Sequence, residues 1–356
     1  MTTTVDRPTA DPGSAPRRRR RLSDRAATTT GRGRVGARLA TLVVACLAIF
    51  AFGQSSTPAI KYAVILSVVY AIAVLGNNAV LGLLGEMNLS SGVSMALGAY
   101  AFCYFANDGM GVVAAAVAAV ALSTALAAIV AIPTTRLQGI FTALATFALA
   151  YAIPTLAIYM KEYTGGDEGT PAPFDFEIFG QLVSGSTTGM LVAALVVFAV
   201  LAAASLLMLN AAPGRAALMV GESELAGVTN GFNPRVIKVL VWTWAGFAGA
   251  VAGVLYALTV GFIGPTGFGF MLGVWILVGG VVAGARSAWG ALLGGLFVGL
   301  VPVELQSYVP AEGTSIVFGV ILLLALLAGG NGLAQWIERI GLLIKERTFG
   351  RKKVDA

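Results

Sequence analysis

Long apolar runs separated by short polar breaks fill most of this chain. They lie near 38–53, 60–84, 89–106, 110–132, 138–160, 187–209, 238–261, 270–284, 288–308 and 315–330. Most come close to the roughly 20 residues that a helix needs to cross a bilayer. The runs are continuous, whereas a membrane barrel needs alternating segments of about ten residues. The pattern predicts an all-α, polytopic transmembrane helical bundle of about ten spans.

Composition agrees with that class. Only 11% of the residues are charged and the mean hydropathy is +0.85, whereas a soluble globular chain carries roughly 25% charge. Residues 1–37 are rich in Thr, Pro, Ala and Arg and lack an apolar face, which predicts a disordered basic arm. A second basic segment, 336–356, forms a tail. By the positive-inside rule both ends are expected in the cytoplasm, in agreement with an even number of crossings. The same count puts Arg136 and Arg286 inside and the acidic loop around Asp167, Glu168, Asp175 and Glu177 outside. The net charge of +6 sits mainly at the two ends, so it reports topology rather than a nucleic-acid partner. Cys46 and Cys103 each lie in an apolar run and are expected to pack rather than to form a disulfide.

The longest internal polar segment is 210–238, with Arg215, Glu222, Glu224, Arg235 and Lys238 among Gly, Asn and Ser. Such a segment cannot lie in hydrocarbon, because its backbone groups would go unsatisfied. Its basic residues place it on the cytoplasmic side. Residues Arg215 to Gly227 are expected to form one short helix, offered to water as a docking element for a soluble partner.

The segment from Gly76 to Tyr100 is apolar yet carries Asn77, Asn78, Glu86, Asn88, Ser90, Ser91 and Ser94 among glycines. Polar groups at membrane depth face a cavity or another helix, and Gly-interrupted spans are where transporters unwind around a pathway. Asn77, Glu86, Asn88, Ser90 and Ser94 are therefore candidates for a translocation pathway. The alternative for Glu86 is a place at a cytoplasmic helix junction. A second interrupted stretch, Gly261 to Phe270, is a possible counterpart. Small residues four apart, Gly249 with Gly253 and Gly280 with Gly284, are expected to bring helices close together.

No enzyme signature accompanies these features. There is no histidine, no GxxxxGK[ST], no Asp-rich metal motif and no HExxH. The chain is expected to be no enzyme and to hold neither metal nor cofactor. An ion-coupled carrier would have Glu86 and Glu304 as its serious intramembrane acids.

The stretch PGRAALMVGESELAGVTNGFNPRVIK and the small-residue run ending in GFIGP resemble the permease subunits of branched-chain amino-acid ABC importers. So do GEMNLSSGVSMALGAY (85–100), RLQGIFTALATFALA (136–150), TGGDEG (164–169) and VPVEL near Pro302. The portion from Arg136 to Gly169 is similar to the M-type permease of that family. The resemblance implies a permease in the plasma (inner) membrane that translocates branched-chain or related amino acids. It also implies cytoplasmic ATP-binding subunits docked on Gly214, Arg215, Glu222, Glu224, Ala226 and Gly227, which do the ATP hydrolysis. A second permease subunit, as homo- or heterodimer, and an extracellular solute-binding protein complete the assembly. Two departures stand out. Gly221 lies where the family often has a basic residue, and Ser90 and Ser91 lie where it often has His or Gln. The second leaves urea, short amides or nucleosides open as solutes.

Overall fold

The computed structural model describes Gly36 and residues 39–137, 139–173, 177–178, 181–182, 187–285, 288–306, 313, 316–317 and 319–320. The basic arm apart from Gly36, the tail, Asp175, Arg286, most of the expected tenth span and the side chain of Glu304 lie outside the described residues. Contacts divide the chain into residues 1–41 and 42–356, and the packing below concerns the second unit.

In chain order the elements are α1 (Leu39–Ser55), α2 (Pro58–Ala79), α3 (Ser91–Asn107), α4 (Val112–Thr134), α5 (Ile140–Tyr159) and α6 (Lys161–Thr164). The two-residue strands β1 (Thr170–Pro171), β2 (Glu177–Ile178) and β3 (Gln181–Leu182) follow. Then come α7 (Thr187–Asn210), α8 (Ala212–Glu222), α9 (Glu224–Thr229), α10 (Pro234–Val260), β4 (Phe262–Ile263), α11 (Phe270–Ala283) and α12 (Ala288–Gln306). Among the described residues, six helical segments are long and apolar enough to cross a membrane: Pro58–Leu84, α4, α5, α7, α10 and Pro265–Ala283. The protein is thus a multi-pass, helical membrane protein. Helices also lie at other expected spans, two of them with 17 residues. One is α1, and the other is α3, which starts only after a break in the chain.

The single helix expected over Arg215 to Gly227 is two helices. Ser223 between them is extended, with φ −161° and ψ 121°. Its hydroxyl accepts from the Ala226 N–H at 3.4 Å and caps α9. A serine that competes for backbone donors favours a helix start over a helix interior.

Helix α2 is the centre of the bundle and packs on α12, α10, α7 and α11. Helix α10 lies across α3, α4 and α2. By contrast only 22% of the apolar window of α4, and of α5, is buried. Val113, Val117 and Ile129 of α4 and Ile140, Phe141 and Tyr151 of α5 therefore point outward, away from the bundle.

The α3–α10 seam depends on small residues. A Cβ at Gly253 would run into the carbonyl oxygen of Met95, and one at Gly249 would lie 2.6 Å from the Ser94 Cβ. In hydrocarbon, where lipid is as apolar as leucine, such close approach supplies the van der Waals contact that holds helices together.

The far end of α10 is stitched to the acidic loop. Thr170 pairs with Ile263 and Pro171 with Phe262 in an antiparallel ladder, and the Ala172 N–H donates to the Gly261 carbonyl at 3.0 Å. Asn107, at the end of α3, donates through its amide to the Pro171 carbonyl at 3.1 Å. Because α10 has 27 residues, this patch and the 210–238 loop lie about 40 Å apart at its opposite ends. The two glycine-interrupted stretches nevertheless meet, since a Cβ at Gly92 would lie 3.4 Å from the Phe268 carbonyl oxygen and the Tyr100 and Phe268 rings are 6.0 Å apart.

Candidate functional site

After α2 the backbone widens into one π-helical turn, Val80–Leu84, and then leaves the helix. Gly85 takes the left-handed conformation, φ 68°, which a residue with a Cβ adopts only at a cost of about 1–2 kcal/mol. Residues 85–89 are neither helix nor strand, and α3 begins at Ser91. π-turns of this kind occur frequently at functional sites.

Non-helical backbone packed among apolar helices needs partners, and here several groups have them. The Leu89 N–H donates to Thr146 Oγ1 of α5 at 3.3 Å. Asn88 Oδ1 accepts from both the backbone N–H and the hydroxyl of Ser90, at 2.8 and 2.7 Å. Gly273 of α11 comes so close that a Cβ there would meet the Leu89 carbonyl oxygen. The break is thus flanked by α5, α10 and α11; Asn88, Ser90 and, at the start of α3, Ser91 are buried, while Gly85 and Met87 are exposed. Asn77 and Asn78, in the last turn of α2, are also buried, and among the described residues their amide groups have no hydrogen-bond partner. The Asn78 Oδ1 faces Gly280 of α11. A buried unpaired amide costs about 1–3 kcal/mol and asks for a functional account. Ser94 does not join this group, since it packs on Gly246 and Gly249 of α10. Gly284 ends α11 with φ 99°.

Glu86 sits in the break with both oxygens engaged. Oε1 pairs with Lys238 Nζ at 2.9 Å and Oε2 accepts the indole N–H of Trp242 at 3.0 Å. Lys238 in turn donates to Glu224 Oε1 at 2.7 Å. These are the ion pairs among the described residues, and all three charges meet beside the first turns of α10. Asn233 caps that helix by accepting the Arg235 N–H at 3.1 Å, and Pro234 opens it. Glu86 therefore lies beside the first turns of α10, where the α8–α9 loop meets the break.

The 210–238 loop touches the break a second time. A Cβ at Gly221 of α8 would run into the Leu83 carbonyl oxygen and come within 2.9 Å of the Leu84 Cα. The glycine found where a basic residue was expected is what lets α8 lie on the π-turn. Other loop residues make contacts within the loop and with the end of α7. Arg215 is exposed but donates to the Asn210 carbonyl at 2.8 Å, holding α8 to the end of α7. Gly214 is buried against Met208 and Leu209, and Gly227 against Val220. Ala226 supplies the capping N–H. Glu222 is exposed. Beside it stand three apolar side chains in the open: Leu225 at 73%, Val228 at 56% and Met219 at 38% exposure.

Sequence reasoning missed Lys238 and Trp242 as members of the site. Their signal was a lone lysine one turn inside an apolar helix, which calls for an acid. The apolar loop residues were legible only as ordinary members of an amphipathic helix.

Comparison with known proteins follows the same lines. The family described as branched-chain amino acid transport system / permease component matches residues 59–326. The chain is 27% identical over 256 residues to the high-affinity branched-chain amino acid transport system permease protein LivM of Escherichia coli strain K12, covering 65% of this chain and 60% of that protein. It is 27% identical over 284 residues to the corresponding permease protein LivH of Salmonella typhimurium, covering 74% and 90%. It is 28% identical over 194 residues to the probable ABC transporter permease protein YphD of Escherichia coli, covering 52% and 55%. The chain thus spans about 60% of the length of the LivM proteins that it matches. No solved structure matches it. With the match running from α2 beyond α12, the chain belongs to the branched-chain amino acid transport system permease family.

Proposed function

We propose that this chain is the membrane-spanning permease subunit of an ATP-driven ABC importer for branched-chain or related amino acids. Its partners are cytoplasmic ATP-binding subunits, a second permease subunit and an extracellular solute-binding protein. The chain itself does no chemistry. Both termini and the α8–α9 loop face the cytoplasm, and Asp167 and Glu168, exposed beside β1, face the binding protein. The names of the relatives supply the solute class.

One observation carries the docking half of this reading. The α8–α9 unit leaves Met219, Leu225 and Val228 bare next to Glu222, while its other side is fastened to the break through Gly221 and Glu224. Apolar side chains on a charged loop are what an interface core looks like before its partner arrives. Leu225→Arg is expected to lower association with the ATP-binding subunits at least about tenfold. Leucine uptake into vesicles is expected to fall with it, while the chain stays inserted. Copurification measures the first and radiolabelled leucine the second. Undiminished association with Leu225→Arg would mean that another surface docks the ATPase.

The pathway half rests on the break and on the buried polar groups around it. Asn88→Cys is shielded in the conformation described and is expected to react with a small aqueous thiol reagent in the other access state only. Comparison of labelling with and without a non-hydrolysable ATP analogue reads this directly. A residue 88 thiol that reacts in neither condition removes the break from the pathway.

A further inference from the structure

We propose that Lys238 is the pin through which movement of the α8–α9 loop reaches the helix break, with Glu86 as its permanent partner and Glu224 as its releasable one. The proposal rests on the docking reading above and deepens it.

Burial distinguishes the two acids. The side chains of Lys238 and Glu86 are 6% and 9% exposed, whereas that of Glu224 is 42% exposed. Separating the first pair strands two buried charges, and Trp242 adds a further bond that keeps Glu86 in place. Glu224 can let go at little cost, because water replaces its partner. Lys238, with three donors, is suited to hold both acids at once. The joint therefore has a fixed side in the break and an open side on the loop.

The two contacts between loop and break also differ in kind. Gly221 rests on the backbone of Leu83 and Leu84 by van der Waals contact, which transmits a push. The Glu224–Lys238–Glu86 link transmits a pull as well. Without it, retreat of the loop leaves the break behind. The segment that is pulled carries Asn88 and Ser90 and is bonded to α5 through Thr146.

A reporter at residue 87 tests this, since Met87 sits between Glu86 and Asn88 and is exposed. Met87→Cys is made in a chain with Cys46→Ala and Cys103→Ala, and the full complex with its ATP-binding subunits is reconstituted in lipid. The rate of modification by a small aqueous thiol reagent is measured with and without a non-hydrolysable ATP analogue, alongside ATPase stoichiometry and activity. The obvious variant, Lys238→Met, strands Glu86. The double variant Glu86→Gln/Lys238→Met removes both buried charges and keeps the fold, and Glu224→Ala opens the releasable side alone. In the parent and in Lys238→Arg the nucleotide is expected to change the labelling rate at least about tenfold. In the double variant the change is expected to shrink to about twofold or less, with the ATPase still bound and hydrolysing, and in Glu224→Ala the change is expected to shrink likewise.

Parent-like nucleotide dependence in the double variant overturns the pin and leaves the docking reading intact. So does a parent whose labelling ignores nucleotide while the ATPase is bound. Loss of the ATPase from the double variant also overturns it, since the three charges then serve docking rather than transmission. A parent complex that binds no ATPase overturns the docking reading itself, and the pin with it.

Discussion

Lys238→Met is expected to lose about 3–5 kcal/mol of stability, because it leaves Glu86 charged, buried and facing only an indole N–H. Glu86→Gln is expected to lose a similar amount by stranding the ammonium, softened by Glu224 on its exposed side. The double variant Glu86→Gln/Lys238→Met removes both charges together. It is expected to recover most of the loss, since a buried pair adds little beyond the cost of its own desolvation. Glu224→Ala is expected to change stability by at most about 1 kcal/mol, given its exposure. Thermal unfolding of the four variants in detergent orders them. A double variant no more stable than Lys238→Met would show that the two side chains are not energetically coupled.

Gly253→Ala is the second large effect. Its new Cβ meets backbone, the carbonyl of Met95, with the Ala99 nitrogen 3.0 Å away, so neither atom can turn aside. Helices α3 and α10 must separate, and overpacking of this sort costs about 1–3 kcal/mol or more. Helix propensity runs the other way, favouring alanine by up to about 1 kcal/mol. A net loss therefore isolates the steric term. Gly267→Ala is the control, because a Cβ there finds the Tyr256 hydroxyl at 3.8 Å, an ordinary contact. Folded yield and unfolding temperature are expected to drop for Gly253→Ala and to hold for Gly267→Ala. Equal behaviour of the two would mean that the α3–α10 seam yields more easily than its geometry implies.

The apolar runs placed most helices, because an unbroken hydrophobic stretch of about 20 residues suits a bilayer and little else. Gly85 in a polar stretch marked the break for a similar reason, as glycine and unsatisfied backbone are tolerated at depth only where something encloses them. Ser223 hid its role, since a serine inside an amphipathic pattern looks the same whether it caps a new helix or points to water. Arg215 reads as a docking charge, and the bond that its guanidinium also donates to the Asn210 carbonyl carries no sequence signal. The union of Glu86 with Lys238 was the least legible, because it joins segments from distant parts of the chain. Burial of one charge announces that a counter-charge exists but not where. The pairing of β1 with β4 was equally silent, being two short backbone contacts without side-chain signature.

Helix α10 is held to α3 just past its midpoint, where Gly249 and Gly253 lie against Ser94 and Met95, and it shows no proline inside its span. A stiff rod pinned near its middle behaves as a seesaw. If the Lys238 end tilts one way, the Gly261 end, with β4, tilts the other, drawing on the strand β1 that Asn107 also ties to α3. In the importer proposed above, opening on one side of the bilayer and closing on the other would then need no second device, since a single fulcrum reverses the sense of the motion.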